Sequence, residues 1–274
     1  MKRISALVFL FVILASAAWG RSLPTVEPDK VGLSPERLQR IGEVFQQEID
    51  QGRLPGAIVV IARKGEIAYF ESFGSRDPAS AAPMPKDAIF RIYSMTKPLV
   101  SVAAMILMEA GRLQLADPVS KFLPEFAELQ VSVPSTDPYG KVTYALVPAE
   151  RPITVQDLLR HTAGLAYGEL TANAAVQEAY AGIGVYKPDG LPFEARDVAP
   201  AEQIVGLAKA PLIHQPGTVW EYSLASDVLG RVVEKASGMR LGDFLEERLF
   251  TPLGMVDTGF SVPPADMARL AEPL

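Results

Sequence analysis

Ser94 and Lys97 stand three positions apart in the segment 90–98, FRIYSMTKP. A hydroxyl is a weak nucleophile until a base takes its proton, and a lysine whose charge is disfavoured by burial can be that base. The pair therefore fits a serine nucleophile that forms an acyl-enzyme. Because S-x-x-K joins two common residues, about one chance match is expected in a chain of this length. The competing interpretation is a capping serine followed by an exposed lysine.

A buried helix is predicted directly after this pair. The run from Leu99 to Glu109 is almost wholly apolar and is followed by Gly111, a pattern typical of a helix that ends at glycine. Pro98 is tolerated only near the start of such a helix. Ser94 and Lys97 are therefore expected on one face of the first turn. There the helix N-terminus adds backbone N–H groups and a positive field where an oxyanion would form.

Tyr222 is the third candidate for chemistry. It follows Pro216-Gly217, which predicts a shaped turn shortly before the next helix. A phenol beside an ammonium group can lose or relay a proton, so Tyr222 completes a chemically sensible trio with Ser94 and Lys97. The competing interpretation is a core tyrosine.

Other catalytic arrangements find less support in the sequence. The chain has no G-x-S-x-G elbow and only two histidines, His161 and His214, which disfavours a Ser-His-Asp triad and an H-E-x-x-H metal site. His161 lies at the end of a short predicted helix, where a positive side chain in a structural role would favour the helix dipole. Asp257-Thr258-Gly259 matches an aspartic-protease loop only superficially, because two carboxylates must meet there. No metal or cofactor is predicted.

The first 20 residues predict a secretory signal peptide. Lys2 and Arg3 precede an apolar run from Ala6 to Ala15, and Ala15-Ser16-Ala17 offers a small-residue cleavage site. The run is too short for a stable membrane span, and no later apolar run is long enough to be one. We therefore expect a periplasmic or secreted protein without a membrane span after cleavage; an uncleaved N-terminal anchor is the alternative.

Composition narrows the class of partner. The chain has 274 residues, of which 49% are hydrophobic, with a net charge of -6 and no cysteine. Without cysteine, neither a lipoprotein anchor nor a disulfide framework is possible. The acidic residues are dispersed and no basic stripe is present, which argues against nucleic acid. The expected partner is a small-molecule ester or amide substrate.

The hydrophobic pattern predicts a helix, two strands and a mostly helical remainder. Ser34-Pro35 starts the first helix, and Arg63-Lys64-Gly65 joins strands 57–62 and 67–71 in a hairpin. Residues 127–152 are predicted to form a long irregular segment that contains one strand. That strand covers 142–147, and further helices are predicted over 155–161, about 171–181, 200–209, 227–236 and 241–250, the last ending before Pro252. Two strands are too few for a stable sheet.

Several ordered segments resemble the serine β-lactamase-related family, which includes class C β-lactamases, D-alanyl-D-alanine carboxypeptidases and related esterases and acyltransferases. The segments are 94–97 (SMTK), 117–119 (DPV), 123–126 (LPEF), 158–165 (LLRHTAGL), 216–217 with 222–223 (PG and YS), and 252–258 (PLGMVDT). The resemblance covers most of residues 21–274. It implies an α/β (α+β) fold of the β-lactamase/transpeptidase type, with an antiparallel sheet flanked by helices and an all-helical part.

Two departures from the family pattern bear on activity. β-Lactamases and peptidases carry Y-x-N, whereas Tyr222-Ser223 is followed here by Leu224, so the amide that could hold a substrate amide is absent. Tyr222–Ala225 is similar to the esterase branch. The K-T-G motif and the late sheet strands are not found after Tyr222. The domain at 21–274 is therefore expected to be incomplete at its C-terminus, poorly soluble and nearly inactive alone.

The resemblance implies serine ester hydrolysis or acyl transfer. Ser94 would attack the acyl carbonyl, Lys97 would accept its proton, and Tyr222 would protonate the leaving alkoxide and then activate water. Three alternatives remain open from the sequence: a β-lactamase or D-alanyl-D-alanine carboxypeptidase, a non-catalytic binding module that is acylated without turnover, and an inactive fragment.

Overall fold

The computed structural model describes residues 23–190 and 198–272. They divide into two compact units: the first runs to Phe90 and resumes at Phe250, and the second is Arg91–Leu249. The predicted signal peptide, residues 1–20, lies outside the described residues. Among the helices of the described ranges, none combines the length and the apolar character needed to cross a bilayer.

The sheet of the first unit has three antiparallel strands in the order β1-β2-β3. They are β1 (Gly56–Arg63), β2 (Glu66–Asp77) and β3 (Ala82–Pro83). Lys64 and Gly65 form the turn between β1 and β2 with φ angles of 56° and 78°, the conformation of a type I′ hairpin. The predicted hairpin is confirmed. β2 extends further than predicted, and β3 was not predicted.

Helix α1, Pro35–Asp50, precedes this sheet in the chain and confirms the predicted first helix. The Ser34 hydroxyl accepts the backbone N–H of Arg37 at 3.3 Å, and Pro35 takes the first helical position, where a missing N–H breaks no helical hydrogen bond. The helix packs on β2, where Phe45 stacks on Phe73 with ring centroids 5.5 Å apart. The apolar stripe of α1 therefore covers the longest strand.

Two helices form the centre of the second unit. They are α2 (Thr96–Glu109) and α6 (Ala225–Ser237), which pack against each other. The facing positions are buried and mix small with branched side chains: Val100, Ala103, Ala104 and Leu107 on α2, and Val228, Leu229, Val232 and Val233 on α6. The small alanines let the two backbones approach. This packing fixes α2, whose N-terminal end carries Ser94 and Lys97.

Shorter helices complete the second unit. They are α3 (Val155–Leu159), α4 (Ala174–Gly182), α5 (Pro200–Lys209) and α7 (Leu241–Leu245). α5 has the predicted bounds, whereas α3 ends two residues earlier than predicted. The reason is His161, whose φ of 55° lies in the left-handed region and cannot continue a right-handed helix.

The second unit also contains a β-hairpin, where the sequence analysis predicted one strand in an irregular excursion. β4 (Gln130–Thr136) pairs antiparallel with β5 (Val142–Pro148), the strand that was predicted. A proline is disfavoured in most strands, but Pro134 stands opposite Tyr144 in a two-stranded ladder that tolerates its missing N–H. The second unit is therefore not the all-helical part that the sequence analysis expected, because it contains this hairpin.

The helix predicted over 241–250 is divided, and Pro252 does not end it. After α7, a π-helical turn covers Glu246–Phe250, and α8 follows at Thr251–Leu253. Pro252 lies in the first turn of α8, where its missing N–H is tolerated, and Gly254 ends the helix with a φ of 67°.

The last part of the first unit is held by an arginine. Arg269, at the end of a 3₁₀ turn over Pro264–Arg269, donates to both carboxylate oxygens of Asp257 and to Asp266. It also lies 3.2 Å from the Asp87 carboxylate. The Asp257-Thr258-Gly259 sequence therefore belongs to a structural ion-pair cluster.

Asp157 organises the start of α3 in the second unit. Thr154 and Asp157 form a capping box, and Asp157 also receives both terminal nitrogens of Arg151, at 2.7 and 2.9 Å, and the Thr162 hydroxyl at 3.0 Å. Burial alone raises the pKa of Asp157, but the hydrogen bonds from Arg151 and Thr154 outweigh it and lower the pKa to about 2. The ionised carboxylate is thus a structural anchor.

We predict that Asp157→Asn lowers the free energy of unfolding at neutral pH by about 2 kcal/mol, the value of a pKa lowered from 3.8 to about 2. Because the folded-state pKa is lowered, the contribution is complete above about pH 4 and is lost as the pH falls through 2. Urea denaturation at several pH values measures it, with the exposed Asp189→Asn as control. An equal effect of both substitutions, or one that does not shrink in acid, would contradict the anchoring role.

Candidate active site

The structure brings Ser94 and Lys97 together at the start of α2. Ser94 is exposed in a 3₁₀ turn, Tyr93–Met95, that runs directly into the helix, and Lys97 is half-buried in its first turn. The Lys97 Nζ lies 3.1 Å from the Ser94 Oγ. The predicted placement on one face of the helix start is confirmed.

The residue before Ser94 has an unusual backbone. Tyr93 has a φ of 41°, which is uncommon for a bulky aromatic residue. The turn is closed by the N–H of Met95, which donates to the Ile92 carbonyl at 2.9 Å. Strained residues of this kind persist where the surrounding structure over-determines them, and they are found most often at functional sites.

Tyr222 completes the predicted trio from a distant part of the chain. Its Oη lies 2.7 Å from the Ser94 Oγ, and Lys97 Nζ lies 4.6 Å from the centroid of its ring. The serine hydroxyl therefore contacts an ammonium group and a phenol at once. Although the three residues were inferred from separate patterns, they form one cluster.

The segment that presents Tyr222 is attached to the LLRHTAGL segment. Three backbone hydrogen bonds join them: Ile213 N–H to Gly164 O at 2.8 Å, Gly217 N–H to Thr162 O at 2.7 Å, and Glu221 N–H to His161 O at 2.8 Å. Gly164 has a φ of 79°, and a Cβ there would lie 2.2 Å from the His214 carbonyl oxygen. Only glycine allows this approach, so the two segments depend on it to stay paired.

Tyr167 is a fourth member of the cluster that the sequence analysis missed. It is buried, with its ring centroid 5.4 Å from that of Tyr222 and 5.7 Å from the Lys97 Nζ. Its hydroxyl is hydrogen-bonded to Lys97. The available signal was its position, two residues after the LLRHTAGL segment. A buried phenol hydroxyl needs a polar partner, and Lys97 supplies it.

His161 contacts the same cluster, with a charge state opposite to the expected one. Its ring centroid lies 5.1 Å from that of Tyr222. Burial lowers the pKa of His161, and the nearby charge of Lys97 lowers it further. The sequence analysis expected a positive side chain at a helix end, whereas the structure favours a neutral imidazole.

The electrostatics of Lys97 and Tyr222 also differ from expectation. Burial alone lowers the pKa of Lys97, but its hydrogen bonds to Tyr222 and Tyr167 outweigh burial and raise the net pKa. Burial alone raises the pKa of Tyr222, but the hydrogen bonds from Lys97 and Ser94 lower the net pKa. The expectation that burial makes Lys97 a neutral base is therefore wrong. The hydrogen bonds favour the Lys97 cation, and this cation makes the Tyr222 phenol more acidic.

One carboxylate acts on the two tyrosines of this cluster through its charge. Asp227, an exposed residue of α6, disfavours the phenolate forms of Tyr167 and Tyr222. Across residues 23–190 and 198–272, no group of three or more His, Asp or Glu side chains is arranged to hold a metal ion. The reactive groups of this cluster are thus the hydroxyl of Ser94, the ammonium group of Lys97 and the phenols of Tyr222 and Tyr167.

Leu224, which stands where β-lactamases and peptidases have an amide, belongs to the core. Its side chain is 1% exposed, at the residue before α6, and its backbone N–H faces the Ala166 carbonyl at 3.4 Å. The position therefore contributes no polar group to the cluster of Ser94, Lys97 and Tyr222.

Residues 41–273 match the family model described as Beta-lactamase, and the chain belongs to this family. The predicted family and the predicted fold class are confirmed. The chain is 38% identical to Esterase EstB of Burkholderia gladioli over 222 residues, which are 81% of this chain and 51% of the esterase. This similarity agrees with the predicted likeness to the esterase branch.

Two solved structures are similar as well. EstCE1, described as a hydrolase with promiscuous acyltransferase activity, matches with a TM-score of 0.69 and 34% identity, covering 85% of this chain and 55% of EstCE1. Simvastatin synthase LovD of Aspergillus terreus matches with a TM-score of 0.70 and 26% identity, covering 87% of this chain and 57% of LovD. The chain spans about half the length of the relatives that it matches.

We predict that Lys97→Met raises the pKa of Tyr222, because it removes both a hydrogen bond and a positive charge that favour the phenolate. Carbon-13 NMR of labelled tyrosine rings measures the titration, and Tyr222→Phe identifies the resonance.

Lys97→Arg is the matched control for this titration, since it keeps the charge and should change the pKa of Tyr222 less. A pKa of Tyr222 that is the same in the Met variant as in the unsubstituted protein would contradict the coupling.

Proposed function

We propose that this protein is a serine hydrolase of carboxylic esters that works through an acyl-enzyme on Ser94. One observation carries the proposal: the Ser94 Oγ lies 3.1 Å from an ammonium nitrogen and 2.7 Å from a phenol oxygen. The relatives support an ester substrate, since one is named an esterase and another a hydrolase with acyltransferase activity. Because the chain spans about half of these relatives, the activity of the whole protein belongs to the proposal.

In the acylation half-reaction, the Ser94 Oγ attacks the acyl carbon as its proton passes to the phenolate of Tyr222. The lowered pKa of Tyr222 makes this phenolate accessible, and Lys97 remains the cation that stabilises it. The tetrahedral oxyanion faces the start of α2, where the backbone N–H of Ser94 is one candidate donor. The C–O bond of the ester then breaks, and Tyr222 returns the proton to the leaving alkoxide.

In the deacylation half-reaction, water takes the place of the alcohol. The Tyr222 phenolate removes a proton from the water, which attacks the acyl carbon of the acyl-enzyme. When the bond to Ser94 breaks, the proton passes from Tyr222 to the Ser94 Oγ, and a carboxylic acid leaves. If an alcohol attacks in place of water, the same steps give acyl transfer.

Leu224 favours esters over amides as substrates. An amide or β-lactam substrate presents a polar group that needs a partner once it is buried, and the buried side chain of Leu224 offers none. An ester has no N–H to satisfy. The phenol at 2.7 Å from the Ser94 Oγ suffices to protonate its leaving oxygen.

We predict that Ser94→Ala abolishes covalent labelling by a fluorophosphonate and that Lys97→Ala lowers ester turnover by about a hundredfold or more, as expected when proton transfer loses its support. Intact-mass spectrometry of the full chain measures labelling, and a p-nitrophenyl ester assay measures turnover. The exposed Ser135→Ala is the control and should label normally. If Ser94→Ala is labelled at the normal rate, Ser94 is not the nucleophile.

We predict that short-chain p-nitrophenyl esters are hydrolysed far faster than nitrocefin or D-alanyl-D-alanine peptides. The reason is the missing amide at Leu224, and kcat/KM for each substrate with one preparation measures the preference. Faster turnover of the β-lactam than of the esters would reverse the proposed substrate class.

A further inference from the structure

His161 contacts four consecutive residues of the segment that carries Tyr222. Its carbonyl oxygen accepts the Glu221 N–H at 2.8 Å. Its ring lies 6.4 Å from Trp220 in an edge arrangement and 5.1 Å from Tyr222 in a tilted one. Its Nδ1 lies 3.3 Å from both the backbone nitrogen and the hydroxyl oxygen of Ser223. Backbone and side chain therefore hold residues 220–223 together.

The backbone conformation of His161 makes this double contact possible. Its φ of 55° is uncommon for a residue other than glycine, although histidine tolerates it better than most, and it stops α3 two residues earlier. A residue with right-handed helical backbone angles at this position would continue the helix, and its carbonyl would then point along the helix axis. The left-handed conformation instead directs the carbonyl oxygen of His161 to the backbone N–H of Glu221.

The contact with Ser223 fixes the tautomer of the ring. A backbone N–H can only donate, so the Nδ1 that it meets at 3.3 Å is an acceptor and the ring proton is on Nε2. Ser223 is buried, at 1% exposure, so its N–H has little access to water as an alternative partner. If the imidazole became protonated, two N–H groups would face each other, and the contact would break.

The charged and titratable groups around His161 favour the neutral ring. Burial lowers the pKa of the imidazole, and the positive charge of Lys97 of α2 lowers it further. The phenol of Tyr222 lies against the ring, Tyr167 lies beyond it at 5.4 Å from Tyr222, and Asp227 of α6 acts on both phenols. The imidazole is thus a neutral acceptor beside a cation.

We propose that neutral His161 is the positioning residue of Tyr222, holding the phenol against the Ser94 Oγ through the Nδ1 contact with Ser223 and the ring contact with Tyr222. This inference rests on the proposed function, because Tyr222 needs positioning only if it moves the proton of Ser94. His161 exchanges no proton with substrate in this role. A displacement of the phenol by about 1 Å is enough to lower the rate by a large factor.

Two variants that both tolerate a left-handed backbone test the role. His161→Asn keeps an acceptor near the place of Nδ1, whereas His161→Gly removes the acceptor and the ring. We expect His161→Gly to lower kcat for ester hydrolysis by about a hundredfold with little change in KM, and His161→Asn to recover at least about tenfold of that loss. His214→Asn, at the other histidine, is the control and should retain normal kcat.

A double-mutant cycle separates positioning from general destabilisation. If His161 acts through Tyr222, His161→Gly should cost less than about twofold in the Tyr222→Phe background, because the group that it positions is already lost. An equal loss in both backgrounds would overturn the proposal. Urea denaturation of each variant shows what fraction of the protein is folded in the assay.

The pH profile gives a second kinetic test. Because the folded-state pKa of His161 is lowered, the contact is present above that pKa and is lost as the pH falls through it. The unsubstituted protein should lose kcat in acid more steeply than His161→Asn, whose amide does not titrate there. Identical acid limbs would contradict the role of the neutral ring.

Imidazole nitrogen-15 NMR tests the geometry without any activity. The chain has only two histidines, so His214→Asn assigns both signals. We expect the Nε2–H tautomer for His161 and a pKa below the ordinary histidine value; an Nδ1–H tautomer or a charged ring at neutral pH would overturn the inference. Ester hydrolysis that persists in Ser94→Ala would overturn the proposed function instead. Hydrolysis that needs Ser94 but is unaffected by His161→Gly would overturn the positioning role alone.

Discussion

The ammonium group of Lys97, shared between two phenols and a serine hydroxyl, is the interaction on which the site depends. Its Nζ lies 3.1 Å from the Ser94 Oγ and is hydrogen-bonded to both Tyr167 and Tyr222. Burial of a lone lysine would lower its pKa, but two phenols in contact reverse that effect. The stabilised cation makes the Tyr222 phenol more acidic. In the proposed mechanism this lowered pKa favours Tyr222 as the base, although a tyrosine is ordinarily neutral at physiological pH.

Two pieces of local structure keep the cation and the phenol in contact. The first is the start of α2, which sets the spacing of Ser94 and Lys97. The second is the pairing of residues 161–164 with 213–221, which carries Tyr222. This pairing is built on α3, because Asp157 caps that helix and also holds the Thr162 hydroxyl at 3.0 Å. A buried carboxylate outside the cluster therefore helps to fix the position of the Tyr222 phenol.

The parts of the site that follow from local geometry could be predicted from the sequence, and those that depend on contacts through space could not. Helical spacing was enough to place Ser94 beside Lys97, whereas the contact with Tyr222 required a resemblance between motifs. Tyr167 is set in a segment with no periodic pattern, so only the fold reveals its hydroxyl at Lys97. His161 was interpreted from its place at a helix end, and its charge state depends on Lys97, which the helix pattern does not contain. In the fold, β4 was missed because a proline such as Pro134 is disfavoured in most strands, whereas this two-stranded ladder tolerates its missing N–H.

The difference between an ester and an amide substrate explains why a buried leucine is compatible with this site. When an amide is bound, its N–H and carbonyl lose water, and each then needs a partner of its own. An ester has no N–H, so the absence of a side-chain amide leaves no group of the substrate unsatisfied. Leu224 can then serve the core, where it is 1% exposed at the start of α6. If the substrate is an ester, as proposed, packing at the start of α6 and substrate binding make no conflicting demand on position 224.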